Sequence, residues 1–204
     1  MDEELPYSDY GREGIFFVVT GPSGVGKTTV MERLLDEDVR LSYSVSHTTR
    51  EPRANEIHGE DYYFVAEEEF ERIKAQGGFI EWAEIYGDYY GTSRREIDRI
   101  REGGLDPFMD IDVQGAAQLR RDSDLDGVYV FLAPPSMKEL ERRISRRGEE
   151  DEETTRKRLR VARKEITRIP EFDYLIVNEE LDRTVSSLSS VIEAERLKVK
   201  GRWR

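Results

Sequence analysis

Short apolar runs alternate along the chain with longer amphipathic stretches. The first run, IFFVVT at 15–20, has the length and composition of a strand, and after residues 21–28 the apolar side chains recur with helical spacing. Further strands are predicted at 43–46, 62–65, 79–85, 107–112, 128–136 and 174–178. Residues 86–92, with the sequence YGDYYGT, are predicted to form a turn.

Helices are predicted between strands at 67–78 and 93–102, and after the last strand at 182–197. Another helix follows the charged segment at 146–154, and its apolar face consists of Leu159, Ala162, Ile166 and Ile169. Ser136 and Glu139 form a capping-box pattern, which predicts the start of one more helix after the proline pair that ends the preceding strand.

The alternation of strands and helices favours an α/β fold with a mainly parallel central sheet flanked by helices. In such sheets, ligands bind beyond the carboxyl ends of the strands. The glycine loop, Asp110, Asp112 and Asn178 all follow predicted strands, so we expect them to gather at that edge. Residues 47–92 depart from the alternation and are predicted to form an inserted lobe, while residues 1–13 are predicted to form a flexible acidic tail.

The net charge and the amino-acid composition exclude several functional classes. The chain of 204 residues has a net charge of -12, which disfavours a general nucleic-acid binder because such proteins need a broad positive field. It contains no cysteine and only two histidines, which excludes disulfides and thiolate zinc sites and disfavours a histidine-rich metal site. No apolar run approaches the ~20 residues needed to cross a bilayer, and the acidic start lacks the features of a secretory signal. We therefore expect a cytoplasmic protein without a membrane partner.

Residues 21–28, with the sequence GPSGVGKT, fit the phosphate-loop pattern G-x-x-x-x-G-K-[ST]. The glycines permit a tight curl whose backbone N–H groups face phosphate, and the N-terminus of the following helix adds positive potential. Lys27 is expected to reach the β and γ phosphates of a nucleotide, and the Thr28 hydroxyl to coordinate Mg²⁺. The motif predicts nucleotide binding, but it does not identify the acceptor.

Candidate acceptor-binding groups follow in the next segment. Arg50, Arg53 and Tyr62 could hold a terminal phosphate through charge-assisted hydrogen bonds, although solvated loop arginines would show the same pattern. Glu81 is a carboxylate within an otherwise apolar strand, where an unpaired charge is costly unless the position faces outward at an edge. One carboxylate can accept the adjacent N1–H and N2–H₂ donors of guanine, whereas adenine presents an acceptor at N1.

Eight sequence blocks together resemble the guanylate kinase family across about residues 15–195: GPSGVGKTT, SVSHTTREPR, GEDYYF, FIEWAE, YYGTS, DIDVQGA, APPS and IVNEEL. The resemblance implies a P-loop kinase of purine nucleotide metabolism that transfers a phosphoryl group from ATP, with Mg²⁺, to GMP and to dGMP. It also implies one domain at 14–204, which consists of a core (14–46, 93–145 and 169–197), a GMP-binding lobe (47–92) and a short arginine-bearing lid (146–168).

The resemblance assigns roles to individual positions. Guanine would contact Ser46, Glu81, Thr92 and Asp110, and the GMP phosphate would contact Arg50, Arg53, Tyr62 and Tyr90. Asp112 would lie on the GMP side, near Mg²⁺ and the transferring phosphates. ATP would be bound by Asn178, beside the adenine ring, and by the loop residues Gly21, Pro22, Ser23, Gly24, Val25, Gly26, Lys27, Thr28 and Thr29. The lid arginines would be Arg147 and Arg158, and the expected catalytic residues are Lys27, Arg50, Arg147 and Arg158.

Two alternatives remain open at this point. A catalytically inactive, guanylate-kinase-like binding module would typically lose the phosphate loop and the base contacts. A related kinase for a phosphorylated sugar would not need Ser46, Glu81 and Thr92 as a guanine-reading set. Both a monomer and a homodimer are compatible with the sequence.

Overall fold

The computed structural model describes residues 14–85, 87–122, 125–146 and 152–199. The predicted acidic tail at 1–13 and the predicted lid arginine Arg147 lie outside the described residues. None of the helices in the described ranges has the length and apolar character that a membrane crossing requires.

A parallel sheet of five strands forms the centre of the fold. In spatial order the strands are β2 (Leu41–Tyr43), β7 (Asp106–Asp110), β1 (Phe16–Thr20), β8 (Gly127–Ala133) and β9 (Tyr174–Val177). Side chains of β1 alternate between two apolar clusters, with Phe17 and Val19 in one and Phe16 and Val18 in the other. Both faces of β1 are therefore covered, which explains why its sequence is an uninterrupted apolar run.

Helices cover the two faces of this sheet. Helices α1 (Lys27–Glu37) and α7 (Leu181–Arg196) pack on the face of Phe17, and α3 (Arg94–Glu102) and α4 (Val113–Asp122) pack on the opposite face. Helices α5 (Met137–Arg146) and α6 (Glu152–Ile166) pack against each other through Leu140, Ile144, Leu159 and Ala162. The predicted α/β class with a parallel sheet between helices is thus confirmed.

A second sheet lies between β2 and α3 in the chain. Its strands, in spatial order, are β4 (Tyr63–Phe64), β3 (His47–Thr48), β6 (Asp88–Ser93) and β5 (Phe79–Ile85). Strands β5 and β6 are antiparallel, with Glu81 directly opposite Thr92. Helix α2 (Glu67–Ala75) packs on this sheet through the fully buried ring of Phe70. This register places two of the predicted guanine-contacting side chains together.

Two predicted elements of the chain's first half are wrong. The strand predicted at 43–46 is β2, which ends at Tyr43, so Ser46 lies in the connection to β3. The turn predicted at 86–92 is mostly β6, because the tight turn is confined to the residues around Gly87, whose φ is +95°. The sequence DYYGTS lacks the apolar pattern that predicts a strand, because its partner β5 supplies most of the apolar side chains of the hairpin.

The second half of the chain differs from prediction at helix boundaries. The apolar pattern does not predict α4, whose short sequence is interrupted by Gly115. Helix α6 ends at Ile166 rather than continuing through Ile169, because Ile169 precedes a proline and that position disfavours helical backbone. Both isoleucines nevertheless pack on the same apolar cluster.

The predicted capping box at the start of α5 is only half formed. The Ser136 hydroxyl accepts a hydrogen bond of 3.1 Å from the backbone N–H of Glu139, as predicted. The Glu139 side chain instead accepts hydrogen bonds from Arg142 and Arg143. These two guanidinium groups hold the pKa of the Glu139 carboxyl at about 2. Two charge-assisted partners therefore replace the reciprocal cap.

Candidate active site

The phosphate loop joins β1 to α1 at the carboxyl edge of the central sheet. Gly21 has a φ of +150°, and a Cβ at this position would lie 2.1 Å from the carbonyl oxygen of Leu132, so no larger residue fits there. The Lys27 ammonium donates a hydrogen bond of 2.7 Å to the Gly21 carbonyl, which holds the side chain against the loop. Thr28 and Thr29 are exposed in the first turn of α1, so the Thr28 hydroxyl is accessible.

A cleft of about 520 Å³ opens beside this loop, between the second sheet and α6. The predicted site residues that line it are Gly21, Ser23, Lys27, Ser46, Tyr62, Glu81, Tyr90, Asp110, Asp112 and Arg158. Residues predicted from two separate parts of the sequence, the phosphate loop and the acceptor segment, therefore meet in one cavity. Among the remaining predicted residues, Arg50, Thr92 and Asn178 contact lining residues or the loop, while the Arg53 side chain is 77% exposed.

Three polar side chains form a buried group at the base of the cleft. Glu81 is only 4% exposed, and its Oε1 accepts a hydrogen bond of 2.7 Å from the Thr92 hydroxyl. The Thr92 oxygen lies 3.3 Å from the hydroxyl of Ser46. Burial raises the pKa of the Glu81 carboxyl to about 7, with the Thr92 hydrogen bond opposing this shift and the charge of Asp112 adding to it. Within the described ranges no cation pairs with this carboxylate, and a buried carboxylate of this kind is typical of a site that binds a hydrogen-bond donor.

Two carboxylates lie at the carboxyl end of β7, each held by a different partner. Asp110 accepts a hydrogen bond of 3.0 Å from the Tyr43 hydroxyl. Asp112 caps α4, because its Oδ1 accepts a hydrogen bond of 2.7 Å from the backbone N–H of Gly115. A Cβ on Gly115 would lie 2.7 Å from Glu81 Oε2, so the glycine allows α4 to approach the Glu81 carboxylate closely.

The Arg50 guanidinium is held in a fixed orientation by its surroundings. Its Nη2 donates to both carboxylate oxygens of Glu56, each at 2.9 Å, and the Arg50 guanidinium lies 5.6 Å from the ring centre of Tyr62. Glu56 Oε2 also accepts a hydrogen bond of 2.8 Å from the backbone N–H of Arg53. Burial raises the pKa of Tyr62 to about 12, so its phenol stays protonated and can donate a hydrogen bond. The phenol of Tyr90 also interacts with Arg50.

Helix α6 places a positive and a negative side chain in the cleft wall that faces the second sheet. Arg158 and Glu165 line the cleft on this side. Burial raises the pKa of the Glu165 carboxyl, while the charge of Lys27 opposes this shift and that of Asp112 adds to it. The helix therefore presents an arginine and a half-buried carboxylate towards the loop and the residues after β7.

Asn178 follows β9 and lies against the phosphate loop. Its side-chain amide donates a hydrogen bond of 2.8 Å to the carbonyl of Val25, and it is 7% exposed. The Arg143 guanidinium of α5 donates to the same carbonyl at 3.1 Å. The predicted ATP-binding residue is thus in direct contact with the loop.

Several residues at this site carry no clear signal in the sequence. Tyr43, Glu56, Arg143, Glu165 and Thr184 lie in stretches whose composition resembles ordinary surface or core sequence. Glu56 offers a partial signal, because it follows two arginines at short spacing and acidic residues often pair with such groups. The others are brought to the site by tertiary packing alone.

The side chains available for a metal ion suit Mg²⁺ carried by a nucleotide. Among the residues that the structure describes, no group of three or more His, Asp or Glu side chains could enclose a metal. The Thr28 hydroxyl and the Asp112 carboxylate offer hard oxygen ligands at the loop and in the cleft. Mg²⁺ usually takes one or two protein oxygens and completes its octahedron with phosphate oxygens and water, which fits this sparse donor set.

Comparisons with known proteins agree over nearly the whole chain. The family model described as guanylate kinase matches residues 14–195. A guanylate kinase of Oleidesulfovibrio alaskensis is 48% identical over 186 residues, which cover 91% of this chain and 90% of that protein. A guanylate kinase of Geobacter metallireducens is 44% identical over 185 residues, which cover 91% of each chain. The crystal structure of guanylate kinase from Anaplasma phagocytophilum superimposes with a TM-score of 0.76 at 36% identity, covering 93% of this chain and 90% of that one.

Proposed function

The chain belongs to the guanylate kinase family, and we propose that its cleft transfers the terminal phosphoryl group of Mg²⁺-bound ATP to GMP, giving ADP and GDP. The observation that carries this proposal is the buried carboxylate of Glu81 in the same cleft as Lys27. A phosphate loop alone is compatible with many phosphoryl-accepting substrates. The desolvated Glu81 carboxylate in the opposite wall accepts hydrogen bonds, so it favours a substrate that presents adjacent N–H donors, as guanine does.

The acceptor would be held at both ends. Glu81 would accept the N1–H and N2–H₂ donors of guanine, with Thr92 fixing one carboxylate oxygen. The phosphate would be held by Arg50 and Arg53 together with the phenols of Tyr62 and Tyr90. Glu56 supports this role because it holds Arg50 in place before the ligand arrives, which reduces the entropy lost on binding.

The donor would be held by the phosphate loop, Lys27 and the α6 side chain of Arg158, with Thr28 and Asp112 as the residues that would hold Mg²⁺. The ion would supply neutralisation of the charge shared by the β and γ phosphates. Lys27 would move from the Gly21 carbonyl to the phosphates on binding. The loop N–H groups contribute fixed dipoles that need no reorganisation during transfer.

Phosphoryl transfer needs no general base in this cleft. An oxygen of the GMP phosphate attacks the γ phosphorus of ATP, a new P–O bond forms, and the bond from that phosphorus to the bridging oxygen of ADP breaks. The second pKa of a phosphomonoester is about 6, so the attacking oxygen is already ionised near neutral pH. Catalysis then rests on bringing two polyanions together and on excluding water as a competing acceptor.

A coupled assay of ADP formation tests the proposal directly. With Mg²⁺–ATP, turnover is expected to be strong with GMP and near background with AMP, CMP, UMP or no acceptor. Equal turnover with several acceptors would contradict guanine recognition by Glu81. ATP binding without phosphorylation of any of these acceptors would contradict the proposed reaction itself.

Protonation of Glu81 alone is expected to raise the KM for GMP about tenfold when the pH falls from 8 to 6. A carboxyl with a pKa of about 7 is mostly ionised at pH 8, but about nine tenths of it is protonated at pH 6. The protonated form places its own O–H donor against the N–H donors of guanine. Initial rates at saturating Mg²⁺–ATP would measure this change.

Protonation of GMP itself contributes to the same pH profile, since its phosphate also titrates near pH 6. The variant Glu81→Gln provides the control, because its profile keeps only the contribution of the phosphate. A wild-type profile that coincides in shape with that of the variant would contradict the role of Glu81 ionisation.

Gly115→Ala is expected to raise the KM for GMP by about ten- to a hundredfold while the protein stays folded. The added Cβ would displace the Glu81 carboxylate towards the cleft, since its Oε2 would be only 2.7 Å away. Alanine has a higher helix propensity than glycine, by about 1 kcal/mol, so α4 itself should be stabilised. The matched control is Gly103→Ala at the end of α3, where φ is -73° and the site lies outside the cleft. An unchanged KM for GMP in a folded Gly115→Ala protein would contradict the prediction.

A further inference from the structure

The carbonyl group of Val25, in the outer turn of the phosphate loop, accepts two side-chain hydrogen bonds from distant parts of the chain. Asn178 Nδ2 donates from the segment after β9 at 2.8 Å, and Arg143 Nη1 donates from α5 at 3.1 Å. The backbone N–H of Val25 is also engaged, since it donates to the Pro22 carbonyl at 3.1 Å. The peptide group after Val25 is therefore held from outside the loop, and the one before it is held by a bond within the loop.

Both donors are themselves held in place by further contacts. Arg143 Nη2 donates to the backbone carbonyl of Asn178 at 3.0 Å, and its Nε donates to Glu139 at 2.9 Å. The Asn178 backbone N–H donates to the Ala133 carbonyl at 2.8 Å. The Asn178 Oδ1 accepts from the Thr184 hydroxyl at 3.0 Å, and that hydroxyl shares its proton with the Glu180 carbonyl at 2.8 Å. Thr184 belongs to the first turn of α7 and is 1% exposed. It therefore cannot touch a nucleotide directly.

We propose that Thr184, Asn178 and Arg143 are positioning residues that hold the phosphate loop in its nucleotide-binding conformation through the Val25 carbonyl. In a trans peptide the C=O and N–H groups point in opposite directions. Holding the Val25 carbonyl towards Asn178 and Arg143 therefore fixes the direction of the Gly26 N–H on the other side. This inference rests on the proposed function, in which that side of the loop carries the phosphates of ATP.

The conformation of Gly26 supports the same role. Its φ is +101°, which is a left-handed value that side chains rarely adopt, and a Cβ there would lie 2.7 Å from Asn178 Nδ2. The Asn178 amide thus packs directly on the glycine that turns the chain into α1. Arg143 adds a link to α5, which leads into the segment that carries the predicted lid. The loop, the end of the central sheet and the base of the lid are consequently joined at one carbonyl.

Thr184→Val tests the proposal with an isosteric change that removes only the hydroxyl. Without the hydrogen bond to its Oδ1 the Asn178 amide is held less firmly, and the dissociation constant for Mg²⁺–ATP is expected to increase about three- to thirtyfold, with a similar increase in the KM for ATP. The KM for GMP should stay within about twofold of the wild-type value, because the acceptor wall does not contact this group. Calorimetry with Mg²⁺–ATP alone and steady-state kinetics would measure the two effects.

Ser187→Ala is the matched control, because Ser187 lies one turn further along α7 and its hydroxyl donates to the carbonyl four residues earlier. The Thr184 hydroxyl lies within 2.8 Å of the corresponding carbonyl of Glu180, so the control removes the same kind of local contact. Ser187→Ala should leave ATP binding unchanged. Arg143→Lys is the second variant if Thr184→Val does not fold, since lysine keeps the charge but cannot reach both carbonyls at once.

A folded Thr184→Val or Arg143→Lys protein with wild-type affinity for ATP would overturn the proposal. Equal increases in the KM values for ATP and GMP would also overturn it, because they would indicate a general structural effect. The binding measurement needs no acceptor. If the wild-type protein binds ATP but does not phosphorylate GMP, the proposed function fails while the change in ATP affinity still decides the role of these residues.

Discussion

Lys27→Ala is expected to lower kcat by about 10²- to 10³-fold and to leave the folded protein intact. The lysine would neutralise charge that develops on the transferring phosphates, and removal of one such preorganised contact typically has this effect on the rate. In the structure its ammonium makes a hydrogen bond of 2.7 Å to the Gly21 carbonyl at the edge of the cleft. Loss of one hydrogen bond of this kind typically lowers the free energy of unfolding by about 0.5–1.5 kcal/mol, which leaves most domains folded.

Steady-state rates with Mg²⁺–ATP and GMP, together with thermal unfolding, would measure the two quantities separately. Lys138→Ala is the control, because Lys138 is an exposed lysine on α5 that does not line the cleft. A Lys27→Ala protein that keeps near-normal kcat would contradict the assignment. A large loss of melting temperature would show that the Gly21 contact, rather than phosphate binding, is the main role of this side chain.

The central sheet and the phosphate loop are the parts of the fold that local sequence specifies best. The run at 15–20 is apolar at every position because both faces of β1 are covered, and the glycine pattern that follows has one dominant structural meaning. Most helix predictions are correct within a few residues for the same reason, since their apolar positions follow a clear period. These signals lie within single segments and need no knowledge of their neighbours.

Other features depend on partners that are distant in sequence. The sequence of β6 is polar and predicts a turn, and its pairing with β5 on one side and β3 on the other makes it a strand. The family resemblance implies a place near Mg²⁺ for Asp112, and the structure shows that its carboxylate caps α4, a helix whose pattern is too short to predict. The contacts of Arg143 and Thr184 with the loop region likewise arise from tertiary packing, which no local period reveals.

The buried charge of Glu81 lowers the free energy of unfolding. Its carboxyl has a pKa of about 7 in the folded protein, against an ordinary value of 4.5. Because the folded pKa is raised, the group stabilises the fold below about pH 4.5, relative to neutral pH, and this contribution is lost as the pH rises through 7. At pH 8 the buried carboxylate therefore destabilises the folded protein by on the order of 3 kcal/mol.

Glu81→Gln is accordingly expected to make the protein more stable and less active at pH 8. Glutamine has nearly the same shape and can still accept the hydrogen bond from Thr92, but it does not ionise. The gain in unfolding free energy should approach about 3 kcal/mol at pH 8 and should disappear near pH 4, where the wild-type carboxyl is also neutral. Chemical denaturation of both proteins at the two pH values would measure it.

The same substitution should reduce kcat/KM for GMP by about 10²- to 10⁴-fold, because an amide N–H₂ group then faces the N–H donors of guanine. The kinetics with ATP and the binding of ATP alone should stay close to wild type, since the phosphate loop is unaffected. Equal losses of ATP affinity and GMP turnover would mean that Glu81 is merely structural. A protein that is more stable, binds ATP normally and discriminates poorly between GMP and AMP would instead show that the buried charge is retained for guanine recognition, at the expense of stability.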